Sequence, residues 1–311
     1  MPFKTVTTPR PVLTMEGHVR ASAKLLDPSI VAMISTDPVK LALHPTGGGT
    51  TRMTGVSLSS ADEIALLSRE VVVVRSGDEM WAIQNLSHNA VIDQVGRDTR
   101  SLCNRPAGGT ALAVHWDGRA TELKVGQREV IERPFALRGT VRACDVGQQE
   151  CFVVVDGTDG GELRVHPGAT PEPGATARTT LPKEAKSLDH LRGGKDLSAL
   201  FSPGKTSVCI VQRRGNALTA KMIDFDTAPL AVGVVETSLF AAFRDGSFVL
   251  YDNDSLSNAA GAPAPTSQLR LPTRGEPRTM TFTGKSVPTC WVGTDSGEVV
   301  QVTVVRKAPS I

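Results

Sequence analysis

Aromatic side chains are scarce. Nine Phe, three Trp and one Tyr make up 4% of 311 residues. So few rings leave little material for the stacking platforms that hold single-stranded nucleic acid. Net charge is lacking too: 34 Lys and Arg face 32 Asp and Glu, a formal balance of +2. That balance supplies no general attraction to nucleic acid or to an anionic membrane. No run approaches the roughly 18 apolar residues of a membrane-spanning helix, and Met1 to Arg20 holds no apolar block of signal-peptide type. The five cysteines (Cys103, Cys144, Cys151, Cys209 and Cys290) are dispersed, and no Cys-x-x-Cys occurs. They are expected to be reduced, buried thiols of an intracellular protein, cytoplasmic or nuclear.

Chemical motifs are equally thin. His18, His44, His88, His115, His166 and His190 lack the spacing of a zinc set. Asp156 to Glu162 is acidic and Gly-rich but lacks the alternating oxygen ligands of a calcium loop. Gly47 to Thr51 and Gly193 to Asp196 each fall short of a phosphate loop, and no Gly-x-Ser-x-Gly elbow is present. No catalytic residue, cofactor or metal is therefore assigned, and the chain is expected not to be an enzyme.

What the chain does contain is one motif used repeatedly. Ser238 to Asp252 places two apolar runs around Arg244-Asp245-Gly246-Ser247, and Asp-Gly supplies the φ > 0 that a tight hairpin turn requires. Comparable hairpins lie near 30–43, 71–83, 111–123, 151–165, 207–223 and 289–302. Their turn centres, near 37, 77, 118, 159, 215, 246 and 296, are separated by about 40, 41, 41, 56, 31 and 50 residues. The mean of about 43 matches the roughly 40–45 residue period of four-stranded propeller blades. The spacing predicts an all-β chain, a single seven-bladed β-propeller spanning residues 1–311.

Each blade then needs an inner strand before its hairpin and an outer strand after it. Inner candidates are Glu63-Leu67, Val141-Val146, Leu197-Phe201 and Thr279-Thr283; outer candidates are Ala90-Val95, Glu129-Ala136, Ala175-Leu181 and Gln268-Leu271. The inner candidates are mainly apolar or small, with Asp145 an exception. No outer strand follows the last hairpin, and the strand-like Phe3 to Thr8 is expected to supply it, removing an open edge. Two steps break the period. Pro182 to Asp196 reads as a long polar surface loop. Ala228 to Glu236 must serve as an outer and an inner strand at once, or leave a blade that a partner fills by strand addition. Asn253 to Thr266, small and Pro-rich, reads as a mobile loop that is dispensable for folding.

Local motifs resemble those of the WD-repeat family of seven-bladed propellers. Gly17-His18 precedes the first hairpin by about a dozen residues, Leu200 to Lys205 is similar to the family's turn after the inner strand, and Tyr251-Asp252 stands where that family has Trp-Asp. Asp117, Asp245 and Asp295 lie at or beside hairpin turns, as in the family. No blade shows the family's complete His, Asp, Ser or Thr, and Trp set; Trp116 precedes its turn, and Trp81 and Trp291 do not precede Asp.

The resemblance implies a non-catalytic scaffold for protein–protein interaction, a subunit of a multi-protein assembly. A propeller hydrolase with a channel metal, and an RNA-binding propeller, are the alternatives. Contacts are expected from loops on the rigid ring: Arg213 and Arg214 on one turn, His190, Arg192 and Lys195 on the 182–196 loop, and Arg244 on another turn. Arg128, Arg133, Arg138 and Arg142 form a second, modest basic cluster.

Overall fold

Val71–Ser76 reads Val-Val-Val-Val-Arg-Ser and Glu79–Gln84 returns beside it across Gly77-Asp78. β-branched runs of this kind suit a strand buried on both faces, and the four valines are buried. The same unit recurs around the chain. The computed structural model describes residues 3–7, 9–26, 29–87, 89–105, 109–126, 130–136, 139–147, 150–168, 174–258, 261–284 and 288–306. They form seven antiparallel sheets of at least four strands, ordered A-B-C-D from the ring centre outward, six of them meanders of consecutive strands. The innermost A strands are His18–Leu26, Glu63–Leu66, Thr99–Arg105, Val141–Val146, His190–Gly193, Pro229–Val235 and Pro277–Thr283.

Because each sheet packs between two others, the buried apolar residues divide into clusters at the blade junctions. Ile34, Leu41, Leu66 and Val74 fill the junction of blades 1 and 2. Met15, Val19, Met33 and Trp291 fill that of blades 7 and 1. Trp291, the largest fully buried side chain, donates its indole N–H to Thr283 Oγ1 at 2.9 Å. Closure follows the expected route. Phe3–Val6 pairs antiparallel with the C strand of blade 7, Glu298–Arg306, and Arg10–Thr14 continues along the same strand.

Blade 5 differs from the sequence reading. Its strands are His190–Gly193, Leu197–Phe201, Ser207–Arg214 and Ala217–Asp224. The 207–223 hairpin is therefore the outer C–D pair, and Leu197–Phe201 is the second strand rather than the inner one. The region 182–196 is not a surface loop: it holds a short 3₁₀ turn, Lys183–Ser187, and the inner strand itself. Blade 6 is complete, with Pro229–Val235 as its inner strand, so no strand is left for a partner to add. Left-handed residues show the true period. They recur in the B–C turns at Asp37, Gly77, Gly118, Gly161, Gly204, Gly246 and Gly297, at intervals of 40, 41, 43, 43, 42 and 51 residues.

The long last interval reflects a further correction. Asn253–Asn258 forms a short helix between the C and D strands of blade 6, and Leu256 on it is fully buried. Asp252 accepts the Ser255 N–H and hydroxyl at 2.8 and 2.9 Å and caps that helix. Gln212 of blade 5 donates to Asn253 Oδ1 and to Ser257 Oγ, both at 2.7 Å.

The cysteine expectation also fails in part. Cys103 and Cys144, on the A strands of blades 3 and 4, form a disulfide, while Cys151, Cys209 and Cys290 are free and buried. The pair is 41 residues apart. That is close to one blade period, which brings the two cysteines to neighbouring levels of adjacent inner strands. No helix among the described residues is long and apolar enough to cross a membrane.

Leu256→Ala is expected to lower the unfolding free energy by about 3 kcal/mol, as other buried Leu truncations do. Urea denaturation measures it, and a loss below about 1 kcal/mol would restore the dispensable-loop reading.

Candidate functional site

The A strands leave their inner edges unpaired, and these edges enclose a channel of about 1220 Å³. Side chains bridge the strands there. Glu63 accepts the Leu102 N–H at 2.6 Å and Arg75 Nε at 2.8 Å, tying blade 2 to blade 3. Asn104 accepts the Leu66 N–H at 2.9 Å and donates to the Lys24 carbonyl at 2.6 Å, joining blades 1, 2 and 3. Asp145 accepts the Gly193 N–H at 2.7 Å, tying blade 4 to blade 5. Ser22 and Thr279 bond at 2.8 Å between blades 1 and 7.

Two charges in the channel are displaced from their usual behaviour. Enclosure pushes the Asp145 carboxyl up, against the opposing pull of Arg192 and of the Gly193 and Val146 N–H groups. Enclosure pushes the Lys24 ammonium down, while Asp145 opposes that shift.

At the channel mouth on the face of the B–C turns, five A strands share a β-bulge at their second or third residue: Arg20, Arg100, Arg142, Leu230 and Arg278. A bulge re-aims one side chain out of the ladder, and here the re-aimed residue is usually Arg. Arg142 is buried and donates to the carbonyls of Gly160 at 2.7 Å and Lys186 at 2.9 Å. Arg278 reaches Glu276 and Asp295, both at 2.9 Å. Arg100 donates to the Val141 carbonyl at 2.8 Å and lies 4.8 Å beneath the centroid of Trp116. Trp116 stands on the B–C turn of blade 3, 53% exposed, with its indole N–H 3.3 Å from Asp78 Oδ1 on the neighbouring turn.

Of the six residues expected to bind partners, His190, Arg192, Lys195 and Arg213 line the channel, whereas Arg214 and Arg244 do not. His190 and Arg192 belong to the inner strand of blade 5 and line the channel, both against the Phe201 ring at 5.5 and 5.9 Å. Lys195 on the A–B turn and Arg214 beside the C–D turn of blade 5 are exposed. Arg213 is tied to Glu150 Oε1 at 2.5 Å. Arg244 lies on the opposite, B–C face, 72% exposed and 3.0 Å from Glu276. Of the second basic cluster, Arg142 is buried on an inner strand and Arg133 lies on the outermost strand of the preceding blade; Arg128 and Arg138 lie outside the described residues, as does His88. His44 and His166 do sit at equivalent C-strand ends, and Asp156 to Glu162 is a B–C turn. Among the described residues no three His, Cys, Asp or Glu side chains gather closely enough to hold a metal ion.

Sequence reasoning singled out Asp145 but missed Lys24 and the exposure of Trp116. Lys24 sits in Ala-Ser-Ala-Lys-Leu-Leu, where only the ring geometry shows that the alternate residues Ser22 and Lys24 face other blades. The chain matches no protein-family model, and no curated protein matches it.

His166 is buried, and neither ring nitrogen has a hydrogen-bond partner. Burial, and then Arg164, hold its pKa below the usual value. The folded chain therefore resists a proton that the unfolded chain takes up near pH 6.5. That stability is present above the unfolded pKa and is lost as pH falls. Thermal melts between pH 7 and 5 should show a falling Tm in the native chain and a shallower fall in His166→Gln; equal slopes would contradict it.

Proposed function

We propose that this chain is a non-catalytic scaffold for protein–protein interactions, acting as a subunit of a larger assembly, and that its docking surface is the B–C face around Trp116. The carrying observation is the half-exposed Trp116 held between Asp78 and Arg100 on adjacent blades. Exposed aromatic anchors of this kind dominate binding energy at protein interfaces. Fixing the ring before contact reduces the ordering cost of association. Arg244 lies on the same face and adds a rim charge. His190, Arg192, Lys195 and Arg213 line the channel, and Arg214 is exposed beside the C–D turn on the opposite face, so a second partner has separate ground.

WD-repeat identity belongs to the same reading. Gly17 supports it: its φ is +84°, and a Cβ there would lie 2.3 Å from the Thr36 carbonyl oxygen. The His18 imidazole Nδ1 meets the Asp295 carbonyl on the last turn. Asp252 departs from that pattern, because it caps a helix.

Affinity purification of the intact chain, followed by mass spectrometry, tests the proposal. Trp116→Ala should reduce recovery of the bound subunits by more than tenfold, matching a loss of about 2 kcal/mol at an interface anchor. The melting temperature should be unchanged. A chain recovered only as a free monomer, or equal recovery with Trp116→Ala, would contradict it.

A further inference from the structure

Lys24 comes from the inner strand of blade 1, Asp145 from that of blade 4 and Arg192 from that of blade 5, so the ring sets residues from widely separated parts of the chain around one channel. All three line the channel. Asp145 couples electrostatically to both cations, yet neither closes to a contact ion pair with it among the described residues. Its oxygens are already engaged by the Gly193 N–H at 2.7 Å and the Val146 N–H at 2.9 Å. Arg192 spends one donor on the Leu191 carbonyl at 2.9 Å. No described residue accepts from the Lys24 ammonium, which has three donors to place. Neighbouring polar groups do not answer it. Glu63 is consumed by Arg75, Ser101 and the Leu102 N–H. Both ends of the Asn104 amide are used. Cys290, which also feels Lys24, is a buried thiol whose pKa is pushed well up by burial.

The channel therefore holds Lys24 and Arg192 beside a carboxylate whose oxygens are already engaged by backbone N–H groups, with the lysine donors open to a space large enough for a ligand. We propose that the channel is a binding site for a small oxyanion, a carboxylate or phosphate group held between Lys24 and Arg192. The guanidinium offers a planar fork to such a group and the ammonium a point charge. Asp145 sets the position of the blade 5 strand through Gly193, and its charge weakens the anion's binding. This site is independent of the B–C face around Trp116, so either reading can fail alone.

Titration calorimetry on the intact chain tests it, with citrate and inorganic phosphate as probes at matched ionic strength. The expected result is one site per chain for at least one probe; citrate alone identifies a carboxylate site and phosphate alone a phosphate site. Lys24→Gln should weaken binding about tenfold or more, the effect of one lost charge-assisted hydrogen bond, and Lys24→Arg should retain it. Asp145→Asn should tighten binding, about threefold or more, by removing a repulsive charge at short range. Arg214→Gln, outside the channel, should change nothing. The proposal is overturned by an absence of binding for both probes, or by undiminished binding in Lys24→Gln provided its melting temperature matches the native one. Weaker binding in Asp145→Asn, or equal losses in Arg214→Gln and Lys24→Gln, would overturn it too.

Discussion

Ring closure is the constraint on which the rest of the structure depends. The C strand of blade 7 takes its outer partner from the other end of the chain, first Phe3–Val6 and then Arg10–Thr14. Without that pairing, Glu298–Arg306 is an open edge beside Val300, Val302 and Val304, all fully buried in the closed ring. Every blade is apolar on both faces, so each is satisfied only by two neighbours. Blades 1 and 7 obtain their second neighbour only when the circle closes, through the cluster of Met15, Val19, Met33 and Trp291.

Closure creates a second demand at the centre. Seven inner strands meet there with one edge unpaired, and buried backbone groups must find partners. Glu63, Asn104 and Asp145 supply carboxylate and amide groups that reach from one inner strand to the backbone of another. The Cys103–Cys144 disulfide links blades 3 and 4 covalently. Bulged arginines do comparable work at the mouth, where Arg142 bonds carbonyls from two loops at once. Polar residues that look isolated along the chain are thus the means of joining its blades.

Legibility follows from the same physics. Six hairpins and the N-terminal closure were readable, because tight turns and β-branched runs are local signals. Blade 5 misled because its outer pair, Ser207–Arg214 with Ala217–Asp224, carries a Gly-Asn turn and is the longer hairpin. Its inner strand is only His-Leu-Arg-Gly, with Leu191 alone buried. Moving the turn from Gly215 to Gly204 restores the even period. At the candidate sites little was legible. His190 and Arg192 read locally as part of a polar loop, and nothing around Trp116 in the sequence marks it as exposed. Lys24, Asp145 and Arg192 come to line one channel through closure of the ring, which no local window of sequence contains.

The central claim, that closure by the N-terminal strands holds the ring together, is tested most directly by urea unfolding of the chain without residues 1–14. The account predicts that the cooperative transition is lost or moved to much lower urea. A synthetic peptide of residues 1–14, added in trans, should restore it. A truncated chain that unfolds at the same midpoint as the intact protein would contradict the account.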